Sequence, residues 1–364
     1  MVDLQIEDIA FGGKGVARDH GKAVFVPFTI EDELVSAKIT HEKKQFAEAE
    51  VVDLKRLSPY RVEPLCPYFG RCGGCAYQHI DYTHQLDIKS RQVRDLLQRI
   101  GKLKDIPMRP IIPSALHFAY RNRITVHAEG GLIGYFRRDS HRLVDVERCP
   151  IALEEVNREL TDLRTQDVPD GHYTLRAKVD RPLRGRSNTR SESASRHFSQ
   201  TNDAVANALR NLIVDLVPSN QELLVDAYCG AGFFAKALIE KFERVFGIDW
   251  DRFAIAAAKD NATAKEVYIA GDVESGLRSA MENCDRDKTT LLADPPATGL
   301  TARICETIVD LAPATFIYIS CNPSTLARDL ADFQPRFEVK SVTPLDMFPQ
   351  TAEIEVAAEL RRSG

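Results

Sequence analysis

No apolar run in this chain of 364 residues approaches the ~20 residues that a helix needs to cross a bilayer. The opening residues, Met1-Val-Asp-Leu-Gln5, carry neither a basic stretch nor a long apolar core, so no secretory signal is expected. Bulk positive charge is also missing. Lys and Arg number 48 against 53 Asp and Glu, for a net charge of −5. The protein as a whole therefore does not attract nucleic acid, and any RNA or DNA surface must be a local basic patch. Cysteine is sparse and unevenly placed. Cys66, Cys72, Cys75, Cys149, Cys229, Cys284, Cys305 and Cys321 are too few for a disulfide scaffold in a chain this long. A reducing, cytoplasmic compartment is the expectation. No internal repeat is visible. What remains is ordinary for a soluble globular protein of two or three domains, with 44% hydrophobic and 28% charged residues.

Residues 1 to about 56 read as a small β domain. Gly12, Gly13 and Gly15 punctuate a turn and Gly21 another, while Lys22–Pro27, Glu33–Ile39 and Phe46–Val52 have strand character. Lys14, Arg18, Lys22, Lys38, Lys43 and Lys44 lie among them. An OB-type barrel that binds single-stranded nucleic acid would fit, and so would a plain solvated face. Residues 57–80 carry three cysteines, and Asp81–Leu103 follows with Leu86, Val93, Leu96, Leu97, Ile100 and Leu103 at helical spacing and Gly101 as a stop. A strand-rich stretch runs from 108 to about 190, containing Tyr120-Arg-Asn-Arg123 and Gly134-Tyr-Phe-Arg-Arg138. Its end is basic, with Arg176, Lys178, Arg181, Arg184, Arg186, Arg190 and Arg196 against Asp180 and Glu192. Arginines interleaved with Tyr and Phe suit phosphates and bases, with a solvated sheet face as the alternative. From about residue 200, short apolar strands (Glu222–Ala227, Arg244–Asp249, Glu266–Ala270, Thr289–Ala293, Phe316–Ser320) alternate with helical segments. That pattern predicts a doubly wound α/β sheet.

The first of these strands leads into Asp226-Ala-Tyr-Cys-Gly230-Ala-Gly232 and a helix. Two glycines allow a tight turn and a close approach of backbone to ligand. Asp249 ends the second strand, about twenty residues on, where a carboxylate can accept both hydroxyls of a ribose. Asp272 ends the third, where it can accept from an adenine amino group. Phe234-Ala235 occupy the place of a third glycine, so a cofactor without pyrophosphate, S-adenosylmethionine, fits better than NAD. Cys229 reads as a small packing residue.

The fourth strand ends in Asp294-Pro295-Pro296-Ala297. Amino-group methyltransferases follow such prolines with an aromatic that stacks on the base, and Ala297 argues against that chemistry. The cysteine that many cytosine-C5 RNA enzymes place just after the prolines is also missing. A carboxylate at Asp294 suits uracil, whose N3 carries a hydrogen. The fifth strand, Thr315-Phe-Ile-Tyr-Ile-Ser320, ends at Cys321, and Asn322-Pro-Ser-Thr325 separates it from a helix expected over Leu326–Phe333. A thiol on a strand-to-helix turn points out of the sheet toward unpaired N–H groups and a partial positive charge, which favours thiolate. A buried, inert cysteine is the plainer reading of a lone thiol, but this turn favours a nucleophile.

Cys66-x5-Cys72-x2-Cys75 sits in a loop rich in Gly and Pro, and Cys149-Pro150 comes much later. Three close thiolates and one distant one make a four-sulfur cage. Zinc ribbons use two matched knuckles. The three-plus-one pattern, with proline directly after two ligands, favours an iron–sulfur cluster over zinc and over unliganded thiols. Four protein ligands leave no open position, so its role would be structural.

Together these segments match a family. The chain resembles, over essentially its whole length, the bacterial and archaeal RNA (uracil-5-)-methyltransferases that carry a [4Fe–4S] cluster and a TRAM domain. Gly15-Val-Ala-Arg18 and Val24-Phe-Val-Pro27 resemble TRAM, and Cys66-Pro-Tyr-Phe-Gly-Arg-Cys-Gly-Gly-Cys75 with Cys149-Pro150 resembles the cluster ligands. Phe198-Ser-Gln200-Thr-Asn202 is similar to the family's F-x-Q-x-N segment, Ser320-Cys-Asn-Pro-Ser-Thr-Leu-Ala-Arg-Asp-Leu330 to its nucleophile segment, and Phe348-Pro-Gln-Thr-Ala-Glu-Ile-Glu355 to its base segment. The resemblance implies a class I (Rossmann-like) methyltransferase domain over 196–364, an OB-type TRAM barrel over 1–56, a strand-rich iron–sulfur domain over 57–80 and 106–195, and a helix over 81–105 packing on the catalytic domain. It implies that Gln200, Asp226, Tyr228, Gly230, Asp249, Asp272 and Asp294 bind the cofactor, with Gln200 also touching the base. Cys321 is then the nucleophile at uracil C6, Glu355 the general base at C5 and Asp294 a catalytic contact to the ring. RNA (tRNA or rRNA, its target uridine flipped out) is the implied partner, with no membrane, and a monomer is expected. The family usually has Arg where this chain has Ala297 and His where it has Glu353. In an extended strand Glu353 and Glu355 would share a face and raise the pKa of one of them. Two other readings remain open: an RNA-binding or folding factor that kept the architecture, and a C5 methyltransferase of different base specificity.

Overall fold

The computed structural model describes residues 1–138, 140–177, 200–260 and 262–364. The chain forms two compact units that do not follow chain order. The described parts of the first are Met1–Gln92, Ser114–Ala177 and Phe348–Glu353, and those of the second are Val93–Pro113, Gln200–Met347 and Ile354–Gly364.

The first unit opens with β1 (Val2–Ile9), β2 (Lys14–Asp19), β3 (Lys22–Pro27), β4 (Leu34–Glu42) and β5 (Phe46–Arg56), closed into a barrel in the order β1-β2-β3-β5-β4. Alternate residues face inward, among them Leu4, Ile6, Val24, Val26, Val35 and Ala37. Closure leaves no sheet edge unpaired. His20 and Gly21 both have positive φ (47° and 81°), which matches the tight hairpin between β2 and β3. Gly15, expected in a turn, instead lies inside β2, where a Cβ would stand 2.0 Å from Thr29 Oγ1.

Beyond the barrel, the cysteine-bearing loop leads to helix α1 (Tyr82–Arg99), which starts in the first unit and ends in the second. It stops at Arg99 rather than at the expected Leu103. The first unit continues with β6 (Arg123–Glu129), β7 (Leu132–Phe136), β8 (Leu143–Asp145) and β9 (Gly171–Arg176), an antiparallel sheet in the order β8-β7-β6-β9. Helix α2 (Glu154–Arg164) buries Val156, Leu160 and Leu163 against Ile124, Val126 and Ile133 of this sheet. Arg176 ends β9. The rest of the basic run, Lys178, Arg181, Arg184, Arg186, Arg190 and Arg196, lies outside the described residues, as does Phe198.

The second unit is a seven-stranded sheet of β10 (Gln221–Ala227), β11 (Phe242–Asp249), β12 (Glu266–Ala270), β13 (Thr289–Ala293), β14 (Thr315–Ser320), β15 (Phe337–Leu345) and β16 (Glu355–Arg362). Their order is β12-β11-β10-β13-β14-β16-β15, parallel except that β16 runs against both neighbours. Helices α3 (Asp203–Leu216), α4 (Phe233–Leu238), α5 (Arg252–Lys259), α6 (Val273–Ala280), α7 (Ala302–Leu311) and α8 (Pro323–Phe333) alternate with the strands. Every residue of β13 and β14 is buried, as befits central strands covered on both faces. The strand order reverses between β10 and β13, and ligands bind α/β sheets at the carboxyl ends of strands flanking such a switch. Among the described residues no helix is long and apolar enough to cross a membrane.

Candidate active site

The switch point carries the glycine loop. After β10 the chain takes left-handed backbone at Tyr228 (φ 63°), Gly230 (φ 53°) and Gly232 (φ 81°), then enters α4. A tyrosine in that region is a local cost held by its surroundings. The Gly230 N–H donates to Asp249 Oδ2 at 2.8 Å, and the Asp251 N–H to Asp249 Oδ1 at 2.8 Å. Asp249 thus fixes the loop and still has lone pairs for a ligand. Asp226 is fully buried; Oδ2 accepts the Ala235 N–H at 3.1 Å, and Oδ1 has no hydrogen-bond partner among the described residues. Burial pushes this carboxyl well above the usual carboxylate range, with Asp294 and Asp249 adding to the shift.

A cavity of about 520 Å³ opens beside this loop, and its walls include Gln200, Cys229, Gly230, Gly232 and Asp294. Three of the residues expected to bind cofactor, Gln200, Gly230 and Asp294, are therefore brought together. Asp226, Tyr228, Asp249 and Asp272 are not among the lining. Asp272 is exposed and caps α6, its Oδ2 accepting the Ser275 N–H at 2.9 Å. That N–H holds its carboxyl below the ordinary value.

Cys321 follows β14 directly and is half-buried. Helix α8 begins at Pro323, not at Leu326, with Asn322 as its cap. Proline at the first helical position loses no hydrogen bond. The positive end of α8 therefore adjoins the thiol more closely than expected. Strand register supplies the partner. Ser320 pairs with Val356 as the last pair of β14 and β16, and Cys321 and Glu355 directly adjoin that pair at one end of the sheet. Glu355 is buried and pairs with Leu345 on its other side. Ala293, paired with Tyr318, places Asp294 at the same end of the neighbouring strand. Burial pushes the Asp294 carboxyl up as well.

Sequence reading missed the anchors of the Asp294 loop. The Ala297 carbonyl accepts from Asn322 Nδ2 and from Thr325 Oγ1, each at 3.1 Å. Asp329, buried, accepts from the Tyr318 hydroxyl at 2.6 Å, the Leu300 N–H at 2.9 Å and Arg328 Nε at 2.8 Å. Gly299 has φ 74°, and a Cβ there would lie 2.6 Å from Asp329 Oδ2. The loop is thus tied to the nucleophile turn through its backbone, which any side chain at position 297 would permit. The available signal was the i, i+3, i+7 polar spacing of Asn322, Thr325 and Asp329 over about two turns of helix.

Glu353 does not share a face with Glu355. It is exposed and precedes β16, whereas Glu355 is buried as the first residue of that strand. Glu353 instead lines a cavity of about 460 Å³ in the first unit, together with Cys66, Cys72, Cys75 and Cys149. All four are free thiols. The Cys149 N–H donates to Asn157 Oδ1 at 2.8 Å, the Cys66 N–H to Gln78 Oε1 at 3.0 Å, and the Gly74 N–H to Cys72 Sγ at 3.5 Å. Burial pushes Cys72 up to about 11 and Cys75 up to about 12, and neighbouring thiols add to it. Burial raises Cys66 and Cys149 too, opposed by N–H groups of Tyr68 and Phe69 and of Ile151 and Ala152. Thiolates in this cage need a compensating cation. Among the described residues no three His, Cys, Asp or Glu side chains converge as a single metal ion requires.

The family model described as tRNA (Uracil-5-)-methyltransferase matches residues 179–271 and 278–363, and that of the TRAM domain matches residues 1–52. An uncharacterized RNA methyltransferase of Halalkalibacterium halodurans is 30% identical over 443 residues, covering 99% of this chain and 96% of the relative. Another, of Bdellovibrio bacteriovorus, is 32% identical over 376 residues, covering 99% and 95%. The chain belongs to the tRNA (uracil-5-)-methyltransferase family. It is an S-adenosylmethionine-dependent RNA (uracil-5-)-methyltransferase with an N-terminal TRAM barrel. The crystal structure of Pyrococcus abyssi tRNA (uracil-54, C5)-methyltransferase in complex with S-adenosyl-L-homocysteine is similar over 99% of this chain and 100% of that one, with a TM-score of 0.72 and 23% identity. This methyltransferase shares that fold.

Proposed function

We propose that this enzyme methylates C5 of a flipped-out uridine in structured RNA through a temporary bond from Cys321 to C6. Uracil C5 is a weak nucleophile until a group adds at C6. Bound S-adenosylmethionine supplies an electrophilic methyl group. Cys321 adds to C6 and drives the ring electrons toward O4 and C5, so that C5 takes the methyl. Glu355 then removes the C5 proton. The electrons of that C–H bond restore C5=C6, and the sulfur leaves with the pair it brought. Asp294 accepts the N3 hydrogen, and Gln200 borders both cofactor and base. Asp226, Tyr228, Gly230, Asp249 and Asp272 are the proposed remainder of the cofactor site. The ring must leave its stack for Cys321 to reach C6. The observation that supports this reading is the register that brings the ends of β13 and β14 and the start of β16, which carry Asp294, Cys321 and Glu355, to one edge of the sheet.

Cys66, Cys72, Cys75 and Cys149 are proposed to hold a [4Fe–4S] cluster. Four thiols on one cavity support it, as do N–H groups aimed at the sulfurs. The cluster would act as a structural clamp, in keeping with a reducing cytoplasm and with all eight cysteines free.

The test is direct. The protein is incubated with tRNA and with large-subunit rRNA transcripts and methyl donor, and the RNA is digested to nucleosides and weighed. The expected product is 5-methyluridine. 5-Methylcytidine, or cofactor binding with no methyl transfer to either RNA, would overturn the proposal. The pH profile adds a second check. Burial raises the Asp294 carboxyl, and its ionised form is the stronger acceptor for N3–H, so kcat/KM should climb with pH along a limb lying well above the ordinary carboxylate range. Asp294→Asn should remove that limb and lower kcat/KM by about 100-fold or more.

A further inference from the structure

Six residues before β16 the chain makes a turn whose backbone is held at nearly every point. Gln350 lies in it, buried, with φ 71°, a left-handed conformation rare for any residue but glycine. The side-chain amide of Gln85 on α1, also buried, bonds both the side chain and the backbone of Gln350. Gln85 Nε2 donates to Gln350 Oε1 at 3.0 Å, and the Gln350 N–H donates to Gln85 Oε1 at 3.1 Å. The Gln350 carbonyl accepts from the N–H groups of Ala76 and Tyr77, both at 3.0 Å. Lys89 Nζ donates to the Phe348 carbonyl at 3.1 Å and the Tyr120 hydroxyl to the Pro349 carbonyl at 3.0 Å. All these partners lie in the first unit, to which Phe348–Glu353 belongs.

A strained turn persists only where its surroundings over-determine it. This one feeds a strand whose first residue is Glu355. Slippage of a strand by one residue moves every side chain to the opposite face, so the entry to β16 must be fixed if Glu355 is to meet the ring. We infer that Gln350, paired with Gln85, is a positioning residue that sets the register of Glu355 for removal of the C5 proton. The inference rests on the base role proposed above for Glu355. Carbon-to-carboxylate proton transfer is sensitive to placement, whereas addition of Cys321 and transfer of the methyl group do not use Glu355.

The experiment separates the two halves of the reaction. Full-length Gln350→Gly, Gln350→Ala and Gln85→Ala are compared with wild type and with Glu355→Gln, using RNA that contains uridine or 5-fluorouridine at the target. Turnover on uridine RNA should fall by about 10- to 100-fold, with KM for RNA and cofactor little changed. On denaturing gels a protein–RNA adduct should accumulate with ordinary uridine, as it should for Glu355→Gln, because elimination is the slowed step. The 5-fluorouridine adduct, which needs no proton removal, should form at the wild-type rate. Gln350→Ala should be worse than Gln350→Gly, since glycine accepts the positive φ. Wild-type turnover in Gln350→Gly and Gln85→Ala would overturn the inference, as would slow turnover without adduct on uridine RNA. Failure of all three variants to fold would also overturn it, in favour of a purely structural role. If wild type itself forms no 5-fluorouridine adduct, the proposed covalent function fails instead.

Discussion

Cys321→Ala is expected to abolish methyl transfer, lowering kcat/KM by about 10,000-fold or more, the scale on which removal of a covalent nucleophile acts. No other thiol of the second unit is placed to substitute. Cys229 is buried in the wall of the glycine loop, where desolvation raises its pKa strongly, and burial pushes Cys305 up to about 12. The third, Cys284, lies before β13 and donates to the Met281 carbonyl at 3.4 Å. The variant should still bind S-adenosylhomocysteine with unchanged affinity, because Cys321 is not part of the described lining of the cavity that contains Gln200, Gly230 and Asp294. Isothermal titration checks that binding, and labelled methyl incorporation checks activity. The protein–RNA adduct with 5-fluorouridine should vanish. Activity within about 10-fold of wild type would remove Cys321 from the chemistry.

Cys75→Ser should strip the iron and sulfide from anaerobically purified protein and destabilise the first unit. The four cysteines are half-buried and the Cys149 N–H is held by Asn157, so losing the proposed shared centre would remove a cross-link between the loop Cys66–Cys75 and Cys149. The expected loss is on the order of 4 kcal/mol, or a fall in Tm of ~10 °C. Asn157→Ala is a milder version. Asn157 Oδ1 holds the Cys149 N–H at 2.8 Å and Nδ2 donates to the Cys149 carbonyl at 3.0 Å, and loss of such a support weakens metal binding by about 10- to 100-fold. Metal and sulfide analysis with differential scanning calorimetry decides. Stoichiometric zinc without sulfide, or unchanged iron in Cys75→Ser, would refute the cluster.

The five parallel strands of the second unit were legible because buried central strands appear as short apolar runs between turns. Strand β15 was not, since Phe337-Glu-Val-Lys-Ser-Val-Thr-Pro-Leu345 mixes charge, polarity and proline and is continuously buried only from Ser341 onward. The start of α8 was misplaced because Pro323 was taken with the turn rather than as the first helical residue. Cys321 was legible from its turn, but Glu355 only through a family motif, because nothing local marks one glutamate among several as a base. Glu353 was misassigned for a related reason: two residues apart imply a common face only once the strand has begun. The Gln85–Gln350 pair spans 265 positions, and no local pattern encodes such a meeting.

Segment Phe348–Glu353 belongs to the first unit although the chain on both sides of it belongs to the second, and α1 passes from one to the other. Neither unit can therefore be cut out as an uninterrupted stretch of polypeptide. A gene fusion that exchanged the N-terminal half for a foreign RNA-recognition module would leave the turn before β16 without Ala76, Tyr77 and Gln85. Exchange of modules in such a protein is confined to stretches, such as the barrel of β1–β5, that leave residues 76–85 in place.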